Sequence, residues 1–291
     1  MRVGSWINFK LAQAFRLLTW RVSVWRLAAI MAPLGGVLAL IVPGFRRRAA
    51  DNLALIWPER PPAERRRLVR AAGAEFTRLM VEYAHLDRFL VDLPLEITGE
   101  EHLEAAKAAG KGAVLVTAHY GNWEAARLAA LRLGCETGII YRAFNNEFLD
   151  RFTQSLLPHV GRPVLQKGRE GVRGLSRHIG AGGFAMVLVD QRITGAPLID
   201  FLGRPAETAT SAAQLARRSG AALIPVRATR DSANRRFEIS FEQPVTGENA
   251  TEMMAEVNRR IGLWVEEHPE QWFWFHHRWN IGKRRSAPGG R

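Results

Sequence analysis

From residue 94 onward, short apolar and β-branched runs alternate with longer stretches whose apolar positions recur at helical spacing. EITG, GAVLVTAH, TGIIYRAF, RPVLQ, FAMVLVDQ, ALIPVRATR and RRFEISFEQPV read as strands. Between and after them, EEHLEAAKAAG, AARLAALRLG, residues 146–159, REGVRGLSRHIG, TSAAQLARRSG and TEMMAEVNRRIGLWVEE read as helices, and the stretch around IDFLGRPAET reads as a loop. This order predicts an α/β fold: a largely parallel central sheet flanked by helices, with the last two strands antiparallel. Upstream, residues 49 to 92 read as helical, with one helix ending before Pro58 and a basic one opening at Pro61-Pro62.

The first 45 residues show a different pattern. Trp6, Trp20 and Trp25 are interleaved with Arg16, Arg21 and Arg26, and Leu27 to Phe45 is uncharged over about the length a membrane-spanning helix needs. Pro33, Gly35 and Gly36 interrupt it, so a span, a shallow interfacial hairpin and a buried helix pair of a soluble protein all remain open. Arg46, Arg47 and Arg48 close the run and predict that the chain beyond them stays on the cytoplasmic side. The expected organisation is a membrane-associating helical region over 1–48, an α/β catalytic domain over 49–280, and a basic disordered tail over 281–291.

Charge narrows the partners. Lys+Arg 41 against Asp+Glu 28 gives a net +13, which calls for an acidic counterpart such as anionic lipid or an acidic protein. No zinc-finger spacing, aromatic RNP-like box or basic heptad region accompanies the charge, so nucleic acid is not the expected partner. Cys135 is the single cysteine, which excludes an internal disulfide and a thiolate metal site; the eight histidines form no metal pattern.

The chemistry concentrates in Gly112-AVLVTA-His119-Tyr-Gly-Asn-Trp-Glu124. An apolar strand ends at a histidine, Gly121 and Asn122 supply a turn, Asn122 can cap the next helix, and Glu124 falls in its first turn. A carboxylate on one imidazole nitrogen fixes the tautomer and frees the other to take a proton from a hydroxyl, so His119 and Glu124 are expected to form a general-base dyad. Three further segments come directly after strands, where sheets of this kind gather function: Arg142 in YRAFNN, Arg169 in KGR, and Asp190 in DQR. An arginine there suits an oxyanion or a phosphate, and the aspartate either orients an arginine or binds sugar hydroxyls. Phe201 and Leu202 are candidate walls of an acyl groove. The aromatic and basic run around Trp272, Trp274 and Trp279 either stacks on substrate or packs in the core.

HYGNWE resembles the H-x4-D/E box of the glycerolipid acyltransferase superfamily, in the form found in the late lipid A (lauroyl/myristoyl) acyltransferases. YRAFNN, KGR, DQR, IDFLGRPAET and PEQWFWFHHRW are similar to further boxes of that family, in the same order across essentially the whole chain. The resemblance implies an acyltransferase-like fold without a metal or cofactor. It implies acyl carrier protein or acyl-CoA as donor, and a glycolipid acceptor that is a lipid A precursor of lipopolysaccharide biosynthesis or a mannosylated phosphatidylinositol. It further implies an anionic membrane surface as partner, at the cytoplasmic face of the bacterial inner membrane. Arg169 and Asp190 fall at the places of the family's functional arginine and aspartate. The rival reading is a non-catalytic, basic, membrane-binding protein.

Overall fold

A computed structural model describes residues 2–91, 93–143 and 145–279; the expected tail over 281–291 lies outside them. Four long helices come first: α1 (Arg2–Leu18), α2 (Val24–Ile41), α3 (Pro43–Ile56) and α4 (Pro62–Ala84). A short turn of helix, α5 (Leu86–Phe89), leads into β1 (Leu95–Thr98), α6 (Glu100–Ala108), β2 (Ala113–Thr117), α7 (Trp123–Arg132) and β3 (Thr137–Tyr141). Then come α8 (Glu147–Leu156), β4 (Val164–Gln166), α9 (Arg169–Gly180), β5 (Phe184–Leu188), and the hairpin β6 (Leu198–Phe201) and β7 (Arg204–Glu207). The order closes with α10 (Ser211–Ser219), β8 (Ala222–Asp231), β9 (Arg236–Phe241) and α11 (Ala250–Glu267).

Seven strands form one sheet in the order β1-β9-β8-β2-β5-β3-β4. Within it only β8 and β9 pair antiparallel, as expected for the late strands. β2 is central and buried throughout, and its side chains alternate between the two faces: Val114 and Val116 join the core built with α9, α10 and α11, while Ala113 and Leu115 join the core built with α6 and α7. The residues read as a loop around 198–207 instead form the β6–β7 hairpin, whose tip places Leu202 at φ 55 and Gly203 at φ 71. Two successive positive φ values fit a tight primed turn. Pro205 within so short a run hides the strand from pattern reading.

α2 does not stand away from the domain. Ala28, Ala32, Gly35, Gly36 and Ala39 are buried on one side of it, and these small residues let its backbone approach α4. A Cβ on Gly35 would lie 2.7 Å from the Gly73 carbonyl oxygen, and one on Gly73 would lie 2.4 Å from the Ala39 Cβ. The opposite side exposes Ile30, Leu34, Val37, Leu38 and Ile41. Pro33 sits inside α2 without ending it, and the boundary expected at residue 48 falls within α3.

Candidate active site

Parallel pairing sets the site. Thr117 of β2 is level with Leu188 of β5, so His119 and Asp190, each two residues further on, emerge side by side at the carboxyl edge of the sheet. The pairing continues past the strands, with the Val189 N–H donating to the Thr117 carbonyl at 3.0 Å. Asp190 then grips His119 twice: Oδ1 lies 2.8 Å from the ring Nδ1, and Oδ2 accepts the His119 backbone N–H at 3.0 Å. The indole Nε1–H of Trp272 donates to the same Oδ2 at 2.9 Å. Burial acts to raise the pKa of Asp190, but the charge and hydrogen bonds of His119 outweigh it and hold the carboxyl well below the usual range.

With Nδ1–H given to Asp190, the His119 Nε2 is the proton-accepting nitrogen. It faces outward, 3.2 Å from the amide nitrogen of Gln191, and the imidazole side chain is 20% exposed while the Asp190 carboxylate is 0% exposed. The imidazole can be reached from solvent and the carboxylate that holds it cannot. A cavity of about 60 Å³ opens beside it, with Phe76, Leu79, Trp123 and Phe273 as its apolar wall and Glu75 and Gln271 among its polar residues.

The turn after His119 is held by the segment around residue 272, by β8 and α4, and by its own helix cap. The C-terminal segment lies antiparallel on it, with the Phe273 N–H donating to the His119 carbonyl at 2.9 Å and the Gly121 N–H to the Gln271 carbonyl at 3.0 Å. Gly121 has φ 53, and a Cβ there would sit 1.9 Å from the Ala228 carbonyl oxygen of β8, so only glycine fits. Asn122 caps α7 as expected, its Oδ1 accepting the Glu124 N–H at 3.0 Å, while its Nδ2 donates to Glu82 of α4 at 2.8 Å. Glu82 is itself clasped by Arg230 of β8, which also holds Glu75 at 2.8 Å.

The expected His119–Glu124 dyad is therefore not the pair that forms. Glu124 points into the protein, where its two oxygens accept from the Tyr83 hydroxyl and the Arg127 guanidinium, each at 2.6 Å. Arg127 continues inward to the Gly161 carbonyl at 2.9 Å. Burial, reinforced by the charge of Glu124, pushes the Tyr83 phenol well above its ordinary pKa. The carboxylate on His119 is Asp190, and because that side chain is buried it neither orients Arg169 nor offers itself to sugar hydroxyls, the two roles expected for it.

Arg142 and Arg169 are exposed at the same carboxyl edge but come after β3 and β4. Arg169 opens α9 three strands from β2, on the order of 14 Å from His119 across the sheet. Neither lines the cavity beside the histidine. The groove expected at Phe201 and Leu202 is not open at Phe201, which is 1% exposed and packs on Trp272 and Trp279 with the Arg278 guanidinium over its ring. Leu202 forms the hairpin tip over Gly262. Of the two readings of the aromatic run, core packing is the one observed: Trp272, Trp274 and Trp279 are all buried.

Sequence reasoning missed the role of His276. Its ring lies 6.3 Å from that of His119, with Nδ1 donating to the Phe273 carbonyl at 2.7 Å. Burial lowers its pKa, against the opposing pull of the Phe273 and Asp190 carbonyls that its two ring nitrogens face. The adjacent HH pair gave no hint of this, because the fold rather than the spacing brings His276 to the Asp190 backbone.

A histidine oriented by a buried carboxylate, at the carboxyl edge of a mostly parallel sheet covered on both faces and beside a largely apolar cavity, is an arrangement chemically able to take a proton from a hydroxyl. The family described as bacterial lipid A biosynthesis acyltransferases matches residues 6–281, and the chain belongs to it. The lipid A biosynthesis lauroyltransferase of Escherichia coli is 26% identical over 263 residues, 84% of this chain and 83% of that protein. A lipid A biosynthesis acyltransferase of Haemophilus influenzae is 23% identical over 235 residues, covering 79% and 74%. The phosphatidylinositol mannoside acyltransferase of Mycobacterium tuberculosis is 26% identical over 187 residues, and the match spans 63% of this chain but only 59% of that protein's length.

Proposed function

We propose that this protein transfers a fatty acyl group from a thioester donor to a hydroxyl of a glycolipid at a membrane surface. The observation that carries the reading is the His119–Asp190 pair, whose outward Nε2 presents its lone pair toward Gln191 and solvent and can accept a proton. In the reaction, Nε2 takes the proton of the acceptor hydroxyl as its oxygen attacks the thioester carbonyl. The C–S bond then breaks, and the departing thiolate recovers the proton from His119. Asp190 keeps the imidazole oriented and stabilises its charged form. Glu124 serves indirectly, by fixing the first turn of α7 and with it Trp123 on the cavity wall. Arg142 and Arg169, at the outer edge, suit anionic groups of donor or acceptor. We take acyl carrier protein as donor, as the family resemblance implies; a net +13 raises the encounter rate with such an acidic protein, as it would with acyl-CoA.

Two acceptor classes are in play. Relatives named for lipid A favour a lipid A precursor, and the mannoside acyltransferase relative favours a mannosylated phosphatidylinositol. Mass spectrometry of membrane lipids from cells with and without the gene separates them. The expected result is one glycolipid class that lacks a single acyl group in the deletion, and an unchanged lipid profile would overturn the transferase reading.

We also propose that the exposed side of α2 lies in the interface of the inner membrane, with the remainder on the cytoplasmic side. α2 is long and apolar enough to span a bilayer, yet one side of it is docked on α4. An interfacial helix with one face in lipid accounts for both properties. Deleting the segment would uncover α4, so surface charge is the cleaner test. Leu34→Glu with Leu38→Glu should release the protein from vesicles of anionic phospholipid while leaving its melting temperature essentially unchanged. Retention of the variant on such vesicles would rule out this face as the anchor.

A further inference from the structure

A second cavity, of about 410 Å³, lies where the end of α2 meets α3 and the start of α4. Arg46, Arg65 and Arg66 line it together with Asp51, over an apolar floor that includes Leu40 and Val69. Among the described residues the side chains of these three arginines have neither an ion pair nor a hydrogen bond, so three cations face one carboxylate. Of the other acids nearby in sequence, Glu64 is paired with Arg60, and neither it nor Glu59 lines the cavity. The volume suits a ligand headgroup, and several convergent guanidinium forks suit a phosphate.

Two features indicate that the phosphate is carried by a lipid. The cavity has an apolar floor as well as a basic rim, which matches an amphiphile better than a free ion. It also lies directly beyond the exposed apolar end of α2, where Leu38, Ile41 and Val42 are succeeded by exposed Phe45 and then Arg46. That is the level at which headgroups sit above an interfacial helix.

A third feature is that this cavity and the one beside His119 are both lined by α4. Arg65 and Val69 line the basic cavity, and Ala72, Phe76 and Leu79 line the one beside His119. These five positions succeed one another at i+3 and i+4 along a single face of α4. From Arg65 to Phe76 that face runs about 16 Å at 1.5 Å per residue.

We propose that this cavity binds the phosphate of a membrane-borne amphiphile and, resting on the transferase reading above, that the amphiphile is the acceptor. The acceptor is then a phosphorylated glycolipid whose reacting hydroxyl lies on the order of 16 Å from its phosphate. Arg46, Arg65 and Arg66 hold the phosphate, and the separation of the two cavities along α4 sets how far the molecule must reach to the base.

The test compares the full-length protein in detergent micelles with its Arg46→Gln/Arg65→Gln/Arg66→Gln variant. Binding is measured to phosphatidic acid and to the diacylglycerol with the same acyl chains. The wild type should prefer phosphatidic acid by about tenfold and the variant should lose that preference, a difference of about 1.4 kcal/mol. Inorganic phosphate should not displace the bound lipid. Equal binding of the two lipids by the wild type, or a preference that survives in the variant, overturns the site. Displacement by inorganic phosphate overturns the lipid-borne assignment. In turnover, the variant should raise KM for a phosphorylated glycolipid about tenfold and leave KM for the carrier-borne donor unchanged. The reverse split would mean that the cluster docks the carrier, and would also overturn the proposal. Intact phosphatidic acid preference with no acyl transfer by the wild type would sink the transferase reading while the phosphate site stood.

Discussion

Replacing His119 with alanine is expected to lower turnover by roughly two to four orders of magnitude, the usual worth of a positioned general base. The fold should persist, because the imidazole is at the surface of the site and its backbone contacts to Asp190 and Phe273 do not need the ring. Asp190→Asn should cost about as much, for a reason the geometry makes specific. Two N–H donors, the His119 amide and the Trp272 indole, converge on Oδ2, so an asparagine must place its carbonyl oxygen there. Its NH₂ group then faces the His119 Nδ1, which must accept. That moves the ring proton to Nε2, and the nitrogen facing the substrate can no longer act as a base. Steady-state kcat for both variants, with circular dichroism to confirm folding, checks this. Turnover within about tenfold of wild type in either would remove the pair from the mechanism.

The sequence made the histidine legible and hid its partner. An apolar run ending in His119, the Gly121–Asn122 turn and the Asn122 cap are local features, and each forms as local chemistry dictates. Asp190 becomes the partner only because β2 and β5 are neighbours in register, a fact of topology that no window of sequence contains. One trace of it was available: Ala113 to His119 and Phe184 to Asp190 are equal offsets from the starts of two paired strands. Glu124 misled for the opposite reason. It is close in sequence and suitably placed for the helix dipole, yet α7 turns its side chain inward to Arg127, one helical turn on, and to Tyr83 on a distant helix. The aromatic ending was also ambiguous on paper, since a tryptophan at a substrate surface and one in a core look alike until the packing is known. Here Trp272 serves both ends, buried in the core while its indole N–H holds Asp190.

The position of Glu124 leads to the second large effect, which concerns stability first. The side chains of Arg127 and Glu124 are 1% and 2% exposed, so Glu124→Ala leaves an unpaired guanidinium in the interior. Removing one member of such a pair typically costs about 3–5 kcal/mol. The Tyr83 hydroxyl would lose its acceptor as well. Urea unfolding should therefore show Glu124→Ala strongly destabilised, and loss of activity in that variant alone would say nothing about catalysis. The informative variant is the double replacement Glu124→Leu/Arg127→Met, which removes both charges and refills the space. Apolar replacement of a whole buried pair is often close to neutral, although here the Gly161 carbonyl would lose a donor. Most of the stability lost in Glu124→Ala should return in the double variant. If Glu124 acts only by holding α7 and the Trp123 wall in place, turnover should return with stability, because the His119–Asp190 pair is untouched. A double variant that is stable yet as inactive as His119→Ala would instead require the Glu124 charge itself in the reaction, and the positioning role assigned to it would be wrong.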